Sequence, residues 1–85
     1  MAGATAGDRI IIRKGILEGY QAIIARVNAE MNHITAAVPA RSIPFELRRK
    51  LMVNKHKGYV PITLKGLEPD EEGEWDFIDK RILLL

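Results

Sequence analysis

Between Leu17 and Val38, apolar residues recur at alternating intervals of three and four: Leu17, Tyr20, Ile24, Val27, Met31, Ile34 and Val38. A helix turns through ~100° per residue, so this spacing gathers the whole set on one stripe. Strict three–four alternation is the seam of a coiled coil or of a packed helical hairpin. Ile16 and Ile23 widen the stripe, as in a helix that also covers a core. Ala22, Ala25, Ala29 and Ala36 favour helix without requiring burial. Val38 precedes Pro39, and a residue before proline is pushed out of the α region. The spacing predicts a long amphipathic helix over about 16–37.

The flanking segments are shorter. Ile10-Ile11-Ile12, between Arg9 and Arg13, is a β-branched run that offers a strand over 9–13, ended by Gly15. Pro44 suits the first turn of a second helix over about 44–55, with Ser42 or Ile43 near its cap and Leu47 and Leu51 on one face. Tyr59–Lys65 alternates as a strand, and Pro61 marks it as an edge strand because proline cannot donate to a ladder. Gly66–Gly73 is an acidic loop, and 74–79 reads as the second arm of a hairpin with 59–65. Trp75, Ile78, Ile82 and Leu85 also fit helical spacing. The expected fold is therefore α+β, two helices on a small antiparallel sheet, with an all-α three-helix arrangement as the alternative.

At 85 residues the chain is expected to form one domain over 8–85, preceded by a small-residue flexible arm over 1–7. A domain of this size buries a modest core, and the absence of cysteine removes disulfides as support. That favours a homo-oligomer or a protein partner. Cysteine-free composition fits a reducing compartment, and no apolar run approaches the ~18–20 residues of a membrane span. The expected location is the cytoplasm, with no membrane association.

Charge is divided along the chain. Residues 1–66 carry eleven Lys/Arg against four Asp/Glu, and residues 67–85 carry two against seven. Arg41, Arg48, Arg49, Lys50, Lys55, His56, Lys57 and Lys65 cluster on and around the second helix, with Tyr59 at the edge. A basic stripe beside an aromatic ring is the kind of surface that tracks a phosphate backbone. Arg41, Arg48, Arg49, Lys55, Lys57 and Tyr59 are the candidate contacts for nucleic acid, or for a nucleotide at a subunit interface. A solvated helix face is the plainer account, since cations near a helix C-terminus are favoured by the dipole.

Glu30-Met-Asn-His33 has the E-x-x-H spacing of carboxylate-bridged metal bundles, but those need further carboxylates that this segment lacks. Gly15-x-x-x-Gly19 lies off the stripe, in a segment too polar to span a bilayer. The chain has one serine, Ser42, with no histidine near it in sequence. These absences argue against an enzyme, and no cofactor is expected. The leading expectation is a non-enzymatic protein–protein interaction module. Its helix interface would be Leu17, Tyr20, Ile24, Val27, Met31 and Ile34, and its C-terminal interface Trp75, Phe77, Ile82 and Leu84.

Overall fold

The computed structural model, which describes residues 3–51 and 58–78, contains no long helix among them. The expected 16–37 helix is instead a turn followed by a β-hairpin, β2 (Gln21–Asn28) and β3 (His33–Pro39). Around it lie β1 (Arg9–Ile12), β4 (Tyr59–Lys65) and β5 (Trp75–Phe77). A 3-10 turn (Ala40–Ser42) and one short helix, α1 (Phe45–Lys50), join β3 to β4. The α+β arrangement of two helices on a hairpin is thus replaced by one antiparallel sheet in the order β4-β3-β2-β1-β5. The all-α alternative fails with it, because 75–77 is a strand.

The apolar residues allow a second period. Ile34, Ala36 and Val38 are buried, while His33, Thr35, Ala37 and Pro39 between them are only half-buried. That is the alternation of a strand with one covered face. Ala22 and Ile24 do the same in β2. The pairing of β2 with β3 then shifts between Ile24 and Arg26, so that Ala25 is an extra residue. A bulge of this kind converts the odd step from Ile24 to Val27 into a same-face step, and Val27 lies opposite Ile34. Met31 falls in the turn, where Asn28 Oδ1 accepts the Met31 N–H and Asn32 adopts a left-handed φ of 56°. Asparagine tolerates that conformation better than most residues. The three–four spacing therefore comes from an even-step strand, a bulge and a turn laid end to end. Burial decides against the helix: β-branched Ile and Val on both arms cover a single sheet face, which a helix of this composition does no better.

Gly15 and Gly19, at φ 97° and 89°, bracket the turn between β1 and β2. A side chain at either position would strain the backbone. Their geometry folds Leu17 back into the core, where it is 1% exposed. The turn is closed by Gly19 N–H to the Ile12 carbonyl and Ile12 N–H to the Tyr20 carbonyl.

The expected hairpin of 59–65 with 74–79 also needs correction. Both segments contain strands, but they do not pair with each other. β4 runs beside β3 from His33↔Lys65 to Pro39↔Tyr59. β5 crosses to the other edge and pairs with β1, Ile10 opposite Phe77 and Ile12 opposite Trp75. That choice brings both aromatic rings onto the face of Ile10 and Ile12, where they meet edge to face at 5.3 Å.

Laid flat, the two edges of such a sheet would stand ~19 Å apart, at ~4.8 Å per strand. Here they touch: Trp75 Nε1 donates to the Gly66 carbonyl at 3.1 Å, and the Lys65 N–H donates to a Glu74 carboxylate oxygen at 2.8 Å. The sheet is curled around its apolar face until its ends meet at this point. Ile43 is buried against the same core, with Leu47 and Leu51 of the α1 region half-buried beside it. At the N-terminus, Ala4 N–H bonds the Leu67 carbonyl and Gly7 N–H bonds the Ile24 carbonyl. No helix among the described residues is long and apolar enough to cross a membrane.

Candidate functional site

The apolar face of the curled sheet is filled by its own core, and a candidate site lies at its surface. The connection from β3 to β4 provides one. Pro39 ends β3 opposite Tyr59, and Ala40 N–H reaches the Gly58 carbonyl at 2.8 Å. Ser42 Oγ then donates to the Pro39 carbonyl at 2.7 Å, tightening the 3-10 turn. Pro44 starts α1, and its carbonyl accepts the Arg48 N–H. Leu47 and Leu51, four residues apart, turn toward the core. Arg48 is ~100° round the helix from Leu47, so it flanks the covered side and faces back toward the β3–β4 junction.

Between these pieces is a groove of about 490 Å³, lined by Pro39, Ala40, Arg41, Arg48, Gly58 and Tyr59. Arg41, Arg48 and Tyr59 are part of its lining, and among the described residues no acid is. Arg48 is half-buried, and its Nε is shut off from solvent with no hydrogen-bond partner. An unsatisfied buried donor costs ~1–3 kcal/mol, and more when charged. A planar guanidinium can meet an oxyanion through two parallel hydrogen bonds. Tyr59 is 52% exposed and can offer a ring face as well as its hydroxyl.

The candidate residues divide accordingly. Arg41, Arg48 and Tyr59, far apart in sequence, share this groove. Arg49 sits apart, in a shallow depression with Glu46 and Lys50. Lys55 and Lys57 lie outside the described residues.

The expected helix interface is dispersed. Leu17, Ile24 and Ile34 are buried in the core, Tyr20 packs beside it, Val27 is 37% exposed and Met31 is 66% exposed at the hairpin turn. These residues form no seam because they do not share a helix. Trp75 and Phe77, expected at an interface, fill this domain's own core, and Ile82 and Leu84 lie outside the described residues. Glu30 is in the turn and His33 opens β3, so the E-x-x-H spacing loses the helical geometry that gave it meaning.

Arg26, which the sequence did not single out, joins Thr35 and Thr63. They stand in one cross-strand row on the outer face of β2, β3 and β4. The alternation of Ile34, Ala36 and Val38 was the signal that could have placed them there.

Comparison of the chain with protein-family models, characterised proteins and solved structures finds no match.

Proposed function

We propose that this domain is a non-enzymatic binding module whose groove takes a phosphate-bearing anion. The observation that carries the proposal is the pairing of two arginines, Arg41 and half-buried Arg48, with Tyr59 in a groove that no acid lines among the described residues. An intramolecular role would be expected to pair those charges. A ligand oxygen in the groove would be met by the outer N–H groups of Arg48, and Arg41 adds a second charge-assisted contact.

Thermal denaturation with inorganic phosphate, pyrophosphate and nucleoside monophosphates tests this. A ligand at ten times its Kd stabilises the folded state by ~1.4 kcal/mol, which raises the melting temperature of a domain this size by about 5–10 °C. The shift is expected in the native protein and absent in R48Q. No shift with any phosphate at millimolar concentration removes the proposal.

Self-association is a second reading, resting now on different residues. In place of the helical seam its support is the exposed apolar side chains Ile16, Met31 and Phe45, at 52%, 66% and 67% exposure. Light scattering with M31S and F45S decides it: a monomer unchanged by either substitution sinks it.

A further inference from the structure

The groove opens onto the outer face of the sheet, and the part of that face built by β2, β3 and β4 is free of acids. β2, β3 and β4 contain no Asp or Glu in any position. The strand registers set the order of residues on this face from Tyr59 along β4. Pro39 and Tyr59 form the first row, at the groove. Ile23, Ala37 and Pro61 form the second, an apolar row. Arg26, Thr35 and Thr63 form the third, and Asn28, His33 and Lys65 the fourth. Directly opposed residues point to the same face, so all four rows share the side away from the core. At ~3.3 Å per residue, the six steps from Tyr59 to Lys65 cover ~20 Å. Cations thus stand at both ends, Arg41 and Arg48 at one and Arg26 and Lys65 at the other, with hydroxyls and an apolar step between. The two buried side-chain nitrogens without partners among the described residues, Arg48 Nε and His33 Nδ1, also fall at these two ends. Beyond Lys65 the path closes, because Glu74 occupies the Lys65 amide and leads into the acidic 68–74 loop.

We infer that the ligand of this face is a single-stranded nucleic acid, lying from the Arg41/Arg48/Tyr59 groove across the outer face of β3 and β4 to Arg26 and Lys65. The inference rests on the phosphate reading of the groove and extends it from one anion to a polymer. A mononucleotide would leave the second cation pair unused. A duplex could not lay a base on Tyr59, whereas an unstacked base can. An acidic peptide would satisfy the charges but not the ring. The length suits about four nucleotides, the short end of what small β-barrel single-strand binders accommodate.

Fluorescence anisotropy on the full chain, with labelled single-stranded DNA and RNA of about two to ten nucleotides across a salt series, tests it. Affinity is expected to rise with length to about four nucleotides and then level off. The plot of log K against log salt should flatten by about 1.4 in R26Q/K65Q, ~0.7 for each lost phosphate contact. Y59A should weaken oligonucleotide binding about 5- to 100-fold, with Y59F close to native. K14Q, which removes one exposed charge from the β1–β2 turn, should change nothing. Circular dichroism melting confirms that each variant is folded. If mononucleotide binds as tightly as the longest strand and R26Q/K65Q behaves as native, the path is overturned while the groove stands. If neither pyrophosphate nor any oligonucleotide binds at low salt, the groove itself falls. The path is also overturned if K14Q flattens the plot as much as K65Q alone, or if duplex or polyglutamate binds as well as single strands.

Discussion

Ile24 and Met31 have equivalent places on the apparent helical stripe, seven residues apart, and opposite places in the fold. Ile24 is 1% exposed in the centre of β2, whereas Met31 is 66% exposed in the hairpin turn. Truncating each to alanine separates the two descriptions. Ile24→Ala removes three buried carbons, worth ~2.4 kcal/mol at ~0.8 per methylene, before any cavity term. With the cavity the loss is expected at about 2.5–4 kcal/mol, which lowers the melting temperature by 10 °C or more, at ~4–8 °C per kcal/mol. Met31→Ala removes a side chain that already meets water, so its cost should stay within about 0.5 kcal/mol. Urea titration followed by circular dichroism measures both. Ile24→Ala should shift the midpoint strongly with the slope unchanged, and Met31→Ala should hardly shift it. Equal, large losses for the two variants would refute the hairpin and restore a packed seam.

Other consequences are as direct. Trp75→Phe loses the bond to the Gly66 carbonyl and part of a fully buried ring. It should cost about 2–3 kcal/mol in denaturant titration, and a cost under ~0.5 kcal/mol would deny that the sheet edges meet there. Asn32→Gly relieves the left-handed residue of the β2–β3 turn and should be neutral or slightly stabilising. Asn32→Val should destabilise by about 1–2 kcal/mol, and equal melting temperatures for the two would show that the turn does not need that conformation. Arg48→Met exchanges a half-buried guanidinium whose Nε has no hydrogen-bond partner for an apolar chain of similar length. It should keep or raise the melting temperature while abolishing phosphate binding, and a clear loss of stability would mean Arg48 has a structural partner instead.

The ingredients of the site were legible in the chain, though their arrangement was not. Arg41, Arg48 and Tyr59 stand out in sequence as cations near an aromatic residue, and they do line one groove. Arg26 and Thr35, further along the same sheet face, were hidden inside a segment whose spacing suits a helix as well as a strand. The bulge at Ala25 caused that confusion, because one inserted residue turns a period of two into an apparent step of three. Trp75 and Phe77 were legible as large aromatic side chains that must be covered, but nothing local says by what.

Sequence alone determined the local events in this protein. Pro44 starts a helical turn, Gly15 follows the end of the first strand, and Pro61 belongs to a strand at an edge. Each of these comes from the torsional preferences of one residue and its neighbours. Tertiary structure alone decided between helix and hairpin, and sent β5 past β4 to pair with β1. Those choices depend on which apolar face can be covered completely. In a domain this small, curling one sheet around Ile10, Ile12, Ile24, Ile34, Val38 and Trp75 buries all of them at once. A lone amphipathic helix would have left its stripe waiting for a partner.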